Sequence, residues 1–274
     1  MIGQASGSSL WPRVLASAVL IPAALGAVYV GGWVLAVWTA AAGLAMAREW
    51  VRSVHRESFG WRFALHALAL GSSQALLAVN RPDWALGGIL FTAFIASASA
   101  QARGERAIWA VLGIVYVAVP CLAFVWLRHL MPFGFETVVW LLAVVWATDS
   151  AAYVAGSIFG GPKLAPLVSP SKTWAGAIAG LAAGTLISIV LAQAVGASAS
   201  WQFVGASVVL SVLTQCGDLA ESFLKRTFGV KDASDLIPGH GGALDRLDGL
   251  IFATLGLGAF VGLAGHSPLL WAVP

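Results

Sequence analysis

Residues 215–250 read QCGDLAESFLKRTFGVKDASDLIPGHGGALDRLDGL and hold ten of the chain's 27 charged residues. On both sides of this polar segment the sequence returns to apolar residues. A membrane protein that gathers acids and bases in one place generally carries out chemistry or transport there, because isolated charges are unfavourable in lipid. We therefore expect the polar segment to hold metal ions and phosphate, between apolar segments that fix its position.

The composition predicts an all-α polytopic membrane protein. Of the 274 residues, 59% are hydrophobic and only 10% are charged, with a mean hydropathy of +0.86. Soluble domains carry about 25% charged residues, so this chain has too few charges to cover a soluble surface. About 20 apolar residues cross a bilayer, and each span should be a helix because unpaired backbone groups cannot lie in lipid. Nine spans are predicted, at residues 14–30, 33–47, 63–79, 84–100, 108–127, 137–159, 173–195, 201–216 and 249–264.

These spans are expected to form two regions. Residues 1–130 would be an N-terminal region of about five transmembrane helices, and residues 131–274 a catalytic region of about four. The stretches 48–62 and 160–172 between spans are predicted to be loops.

The placement of basic residues predicts the orientation of the chain. With residues 48–62 in the cytoplasm, thirteen of the 15 Lys and Arg residues fall inside, and only Arg81 and Arg128 fall outside. This asymmetry predicts an inside N-terminus and a cytoplasmic position for both polar regions, 160–172 and 217–248. The chain contains no Lys/Arg run of the type that binds nucleic acid, so no nucleic-acid partner is expected.

Acidic residues flank a glycine-rich turn in the polar segment. Asp218, Glu221 and Lys225 are spaced to share one face of a helix, and Asp245 and Asp248 share a face where the last helix begins. Carboxylates that converge at a membrane interface are unfavourable unless cations neutralise them, and hard oxygen ligands favour Mg²⁺. We therefore expect Asp218, Asp245 and Asp248 to hold Mg²⁺. The alternatives are a solvated loop with surface ion pairs and, for Asp245, an N-cap only.

Other groups in the polar segment are expected to contact phosphate. Glycines let backbone N–H groups approach an anion, and basic side chains neutralise it. The helix that begins in the eighth span is expected to end at Gly229 as a left-handed cap. The candidate phosphate contacts are Lys225, Arg226, Lys231, His240, Gly241, Gly242 and Arg246.

A second polar region follows the sixth span. An acid at the depth of Asp149 is expensive and indicates function, and Tyr153 lies one helical turn away. Residues 160–163 (GGPK) and 169–173 (SPSKT) could form a phosphate cradle at the start of the seventh helix. Neither sequence matches the P-loop pattern GxxxxGK[ST]. A plain loop that ends in an N-terminal cap for the seventh helix would have a similar sequence.

Taken together, the motifs resemble those of the bacterial phosphatidate cytidylyltransferase (CDP-diacylglycerol synthase) family. The family signature runs S-x-x-K-R, K-D, P-G-H-G-G and D-R-x-D, after an upstream T-D-S, A-Y and S-P-x-K-T-W-E-G pattern. Ala175 stands where the family commonly has Glu, and Ala233-Ser234 follow Lys231-Asp232 where the family usually has Ser-Gly. The matching stretches are 148–150, 152–153, 169–174, 222–226, 231–232, 238–242 and 245–248.

The resemblance implies a phospholipid-biosynthesis enzyme that transfers CMP from CTP to phosphatidic acid, giving CDP-diacylglycerol and pyrophosphate. It implies Mg²⁺ as cofactor, in one or two ions with a monovalent cation left open, a homodimer, and a site on the cytoplasmic face of the inner membrane. Asp218, Asp245, Asp248, Lys225 and Arg226 would be catalytic. Substrates would be bound by Ser169, Lys172, Thr173, Lys231, Asp232, His240, Gly241, Gly242, Arg246, Asp149 and Tyr153.

Three other functions remain open at this point. A related CTP-dependent membrane transferase could use an isoprenoid alcohol or an archaeal lipid. A transporter could also bury Asp149, although transporter sites lie near the middle of the bilayer. A non-catalytic lipid-binding relative would be consistent with Ala175 in place of Glu.

Overall fold

The computed structural model describes residues 10–230, 234 and 241–272. Within these residues the chain forms nine α-helices, one short antiparallel hairpin and a final 3-10 turn at Pro268–Trp271. The hairpin consists of β1 (Lys163–Ala165) and β2 (Ser169–Thr173). The helices are α1 (Leu10–Val30), α2 (Gly32–His55), α3 (Trp61–Ala78), α4 (Pro82–Gln101), α5 (Ala107–Arg128), α6 (Gly134–Phe159), α7 (Trp174–Ala194), α8 (Trp201–Phe228) and α9 (Leu244–Ala264).

The predicted all-α polytopic membrane fold is confirmed. Each of the nine predicted spans corresponds to one helix, and seven helices (α2 and α4 to α9) are long and apolar enough to cross a bilayer. The helix ends follow local sequence signals. Thr173 caps α7 by accepting a hydrogen bond from the Gly176 N–H at 3.2 Å, and α8 ends at Gly229 with φ of 65°, as predicted.

Two predicted loops were wrong in part, because helix or strand occupies some of their residues, although 56–60, 160–162 and 166–168 do lie outside helices and strands. Residues 48–55 continue α2, because Val51 is buried while Arg52 is exposed, so that the end of the helix packs one face against the bundle. Residues 163–173 form the β-hairpin, in which Lys163 pairs with Thr173, and the Trp174 N–H donates to the Pro162 carbonyl at 3.1 Å. The hairpin thus fixes where α7 begins.

Glycines allow two pairs of helices to approach closely. A Cβ at Gly176 would lie 2.6 Å from the Ala152 carbonyl oxygen, so α7 packs directly on the backbone of α6. At the second crossing, a Cβ at Gly217 of α8 would lie 2.3 Å from the Asp248 carbonyl oxygen of α9. This crossing brings Asp218 next to the first turns of α9.

Most of the ion pairs among the described residues lie at one end of the bundle, where α2, α6 and α8 end and α7 and α9 begin. At that end Arg62, whose side chain is 6% exposed, pairs with Glu57 at 2.5 Å and with Glu105. The hydrogen bond from Arg62 lowers the pKa of Glu105, which lies between α4 and α5, below its usual value. At the opposite end Arg128 donates to the Val28 carbonyl at 2.8 Å.

Candidate functional site

A polar cavity of about 400 Å³ lies between α6, β2, α7 and α8. It is lined by Asp149 and Tyr153 of α6, Lys172 of β2 and Asp218 of α8, among other residues. Lys172 and Asp218 form an ion pair, and their side chains are 27% and 20% exposed. The cavity therefore has both an acid and a base within reach of a ligand, and it brings together two sequence regions that lie 46 residues apart.

Three carboxylates from three helices lie close enough to this cavity to interact electrostatically with one another. Asp149 and Asp248 each interact electrostatically with Asp218 and with one another. Gly249 makes this approach possible, because a Cβ there would lie 3.2 Å from Asp218 Oδ1. Such a group of like charges is unfavourable without cations, so this place suits a positively charged ligand.

A second charged cluster lies one to two turns further along α8. Lys225 Nζ lies 2.7 Å from Glu221 Oε2 and 2.8 Å from Asp245 Oδ1. The Gly242 N–H donates to Asp245 Oδ2 at 3.0 Å. Asp245 therefore lies in the first turn of α9 with both oxygens engaged, and Lys225 ties α8 to α9 at the polar end.

Glu49 of α2 holds the start of α9 from the N-terminal half of the chain. Its side chain is completely buried. Its Oε1 accepts from the Ala243 N–H at 2.9 Å and from the Ser234 hydroxyl, and its Oε2 accepts from the Leu244 N–H at 2.8 Å. A carboxylate at a helix N-terminus satisfies backbone donors that lack partners in the helix. Glu49 thus fixes the place from which Asp245 and Asp248 project.

Tyr116 of α5 supplies a buried hydroxyl near the same carboxylates. Its hydroxyl oxygen is inaccessible and has no hydrogen-bond partner among the described residues. The residue interacts electrostatically with Asp248, Glu221 and Asp218. It also lines a void of about 30 Å³ with Glu221 and Lys225, which is large enough to hold a water molecule. The hydroxyl is therefore placed to donate to a group bound at this end.

The remaining predicted site residues have different positions. Tyr153 lies at the cavity and is 78% exposed. Ser169 is buried, and its hydroxyl lies 3.5 Å from the Ser171 hydroxyl. Thr173 caps the N-terminus of α7. Arg226 Nε lies 3.5 Å from the Val168 carbonyl, and Arg246 is exposed in the first turn of α9. Gly241 has φ of +84° and Gly242 donates to Asp245. Lys231, Asp232 and His240 lie outside the described residues.

The carboxylates suit Mg²⁺ in chemistry but do not form one closed ligand set. No three acidic, His or Cys side chains in the ranges 10–230, 234 and 241–272 are grouped to hold a metal. Asp218 and Asp248 meet at the α8–α9 crossing, whereas Asp245 is engaged by Lys225. The predicted ligands Asp218, Asp245 and Asp248 therefore fit a metal in oxygen chemistry, and their assignment stays a prediction.

Sequence reasoning did not assign a site role to Glu49, Tyr116 or Glu221. Glu49 binds backbone N–H groups at the start of α9, almost 200 residues away in sequence. The sequence contained one signal, because Glu49 is an acid at the end of an apolar segment and the apolar residues Trp50 and Val51 follow it. Glu221 was placed on the same face as Lys225, and the 2.7 Å ion pair confirms that placement.

Comparison with known proteins adds independent findings. The model of the cytidylyltransferase family matches residues 11–264. A protein of Brucella suis named phosphatidate cytidylyltransferase is 40% identical over 257 residues, covering 90% of this chain and 91% of that protein. The protein of the same name from Brucella abortus is 38% identical over 277 residues, covering 97% of this chain and 98% of that protein. One from Staphylococcus haemolyticus is 42% identical over 120 residues, covering 43% and 46%.

Proposed function

The chain belongs to the cytidylyltransferase family, and we propose that it transfers CMP from CTP to phosphatidic acid, giving CDP-diacylglycerol and pyrophosphate. The observation that carries this proposal is the convergence of Asp149, Lys172, Asp218 and Asp248 beside a polar cavity at one end of a membrane bundle. The relatives named phosphatidate cytidylyltransferase, similar over almost the full length, support the same reaction.

The reaction needs little acid–base chemistry from the protein. A phosphate oxygen of phosphatidic acid attacks the α-phosphorus of CTP, and the bond to the pyrophosphate leaving group breaks. A phosphate monoester has a second pKa of about 6, so the nucleophile is largely ionised at neutral pH. Catalysis is then mostly positioning and neutralisation of charge, as in other phosphoryl transfers.

The two lysines of the site are placed for that neutralisation. Lys172 faces the cavity and Lys225 faces the α8–α9 junction, and each is now held by a carboxylate. A bound phosphate offers both lysines a more highly charged partner. The buried Tyr116 hydroxyl lies near the carboxylates and can donate a hydrogen bond to substrate.

The proposal includes Mg²⁺ as cofactor. It would be held by Asp218 of α8 and Asp248 of α9, and Asp245, in the first turn of α9, is the third proposed ligand. When bound, it would neutralise charge on the attacking and leaving oxygens. The proposal also includes a homodimer and a site on the cytoplasmic side of the inner membrane. The orientation is supported by Arg128, one of the two basic residues expected outside, which lies at the end opposite the site.

Pyrophosphate release by purified protein in detergent tests the function. CTP, phosphatidic acid and Mg²⁺ are each omitted in turn, and we expect release only when all three are present. If an isoprenoid alcohol or an archaeal lipid replaces phosphatidic acid and CTP still releases pyrophosphate at the same rate, the chain is a related transferase. Solute flux into liposomes without CTP would favour a transporter. If the folded protein releases no pyrophosphate but Ala175→Glu restores the release, the chain is a degenerate synthase.

Asp245→Asn tests the site assignment. We expect release to fall at least about 100-fold while the variant remains folded and extractable in detergent. Asp83→Asn is the matched control, because Asp83 also lies in the first turn of a helix but is exposed at the other end of the bundle. Equal rates for the two variants, with folding verified, would remove Asp245 from the site.

A further inference from the structure

An apolar cavity of about 150 Å³ lies inside the bundle, directly beneath the polar site. On three of the five helices that line it, α2, α5 and α6, the cavity begins about one turn from a site residue. Met46 precedes Glu49 by three positions on α2, and Trp146 precedes Asp149 by three on α6. On α5 Pro120 follows Tyr116 by four positions, whereas on α9 Leu247 is directly adjacent to Asp248, and α1 contributes Ala24 and Val28.

The cavity extends away from the polar site along the helices. On α2 it is lined from Met46 back to Leu35, a rise of about 16 Å at 1.5 Å per residue. Its lining is almost entirely apolar, and the hydroxyl of Thr39 already donates to the Leu35 carbonyl at 2.7 Å. Trp146, at its side, is 40% exposed on the outside of the bundle. The cavity is therefore dry and reaches towards lipid.

We propose that this cavity binds an acyl chain of the lipid substrate while the phosphate lies at the polar site. A cavity of this volume takes an apolar group of about the size of benzene, which corresponds to a short stretch of a lipid tail. The acyl chains of a phospholipid are joined covalently to its phosphate, so the two must be bound close together. The cavity meets this condition because it begins about one helical turn from the carboxylates. The proposal rests on the proposed function for the identity of the lipid, phosphatidic acid.

Ala42→Leu fills the cavity from α2, and Ala41→Leu is its matched control. Ala42 lines the cavity, whereas its neighbour Ala41 is exposed on the outer face of the same helix. Each methylene kept out of an apolar site weakens binding about fourfold. We expect Ala42→Leu to raise the KM for dioleoyl phosphatidic acid about tenfold or more, and to leave the KM for CTP and for dibutanoyl phosphatidic acid within about twofold of the Ala41→Leu values.

Photochemical labelling gives a readout that does not depend on turnover. Phosphatidic acid with a diazirine in the middle of one acyl chain is bound and irradiated, and labelled peptides are identified by mass spectrometry. We expect labels on α2 between Leu35 and Met46 and on α9 between Leu247 and Thr254, with much less labelling in Ala42→Leu than in Ala41→Leu. Ala24→Leu, from the α1 wall, is the second filling variant if Ala42→Leu unfolds at a lower temperature.

The outcomes separate this proposal from the proposed function. Labelling of the cavity by a protein that releases no pyrophosphate would refute the function and support the acyl site. The acyl site would be refuted if the protein turns over normally and the cavity-filling variants have the same KM for dioleoyl phosphatidic acid and the same labelling as Ala41→Leu. Labels confined to other helices would refute it as well, whatever the rate.

Discussion

Replacing Glu49 tests whether the N-terminal helices position the catalytic end of the chain. The Glu49 carboxylate accepts from two backbone N–H groups of α9 and from the Ser234 hydroxyl, and it is completely buried. Glu49→Ala leaves all three donors without this acceptor. A hydrogen bond to a charged group contributes about 1.5–3 kcal/mol, and a buried donor left unpaired costs about 1–3 kcal/mol. Water that reaches the vacated space offsets part of this loss, so we expect a destabilisation of about 3–5 kcal/mol.

Glu49→Gln separates the loss of charge from the loss of shape. Its amide oxygen can still accept from the Ala243 N–H, but its NH₂ group would face the Leu244 N–H, and both are donors. We expect this variant to lose about 1–3 kcal/mol. Glu136→Ala is the control, because Glu136 is an exposed acid in the first turn of α6. Its removal should cost about 0.3–1 kcal/mol.

Denaturant unfolding in detergent and the rate of pyrophosphate release are measured for all three variants. We expect Glu136→Ala to be the most stable variant, Glu49→Gln the next and Glu49→Ala the least stable. At temperatures where each variant is folded, we expect kcat to decrease in the same order. If Glu49→Ala unfolds at the same midpoint as Glu136→Ala and turns over at the wild-type rate, Glu49 does not position α9.

Three further predictions concern packing, pH and charge. Gly217→Ala should lower the free energy of unfolding by about 1–3 kcal/mol, because its Cβ would lie 2.3 Å from a backbone oxygen of α9. A Cβ at Gly205, on the same helix, meets nothing within 4 Å, so Gly205→Ala should raise the free energy of unfolding by about 0.5–1 kcal/mol. Denaturant unfolding in detergent measures both. The lowered pKa of Glu105 stabilises the fold at neutral pH, and this contribution is lost as pH falls through the folded-state value. Glu105→Gln should therefore flatten the acid side of a plot of unfolding temperature against pH, and an unchanged plot would contradict this. Lys172→Met should weaken CTP binding, measured by calorimetry, about tenfold or more, while the exposed Lys163→Met should remain within about twofold; equal affinities would exclude Lys172 from the nucleotide site.

The fold was largely predictable because spans in a bilayer obey simple rules of length and hydropathy. The two errors arose where those rules do not apply. Residues 48–55 are too polar to be a span, yet Val51 and Trp50 pack against the bundle and keep the helix intact. Residues 163–173 form a hairpin that no periodicity indicates, because its register depends on the docking of Trp174 to Pro162.

The candidate site was predictable only in part, for a similar physical reason. Local spacing places Glu221 and Lys225 on one face, and their ion pair confirms it. Spacing cannot show that the Gly217–Asp248 crossing brings Asp218 to α9, or that Glu49 reaches the N–H of Leu244. These contacts depend on helix crossings between segments that are distant in sequence.

The charge balance of the described part of the site bears on how substrate can bind. The ionisable acids near the cavity and the α8–α9 junction outnumber the two lysines that form ion pairs there, Lys172 and Lys225. The acids are Asp149, Asp218, Glu221, Asp245 and Asp248. A triphosphate adds further negative charge, so it can bind here only with cations or with rearranged pairs. Divalent cations at the carboxylates would release both lysines for phosphate, and binding of metal and nucleotide would then strengthen one another by the same factor.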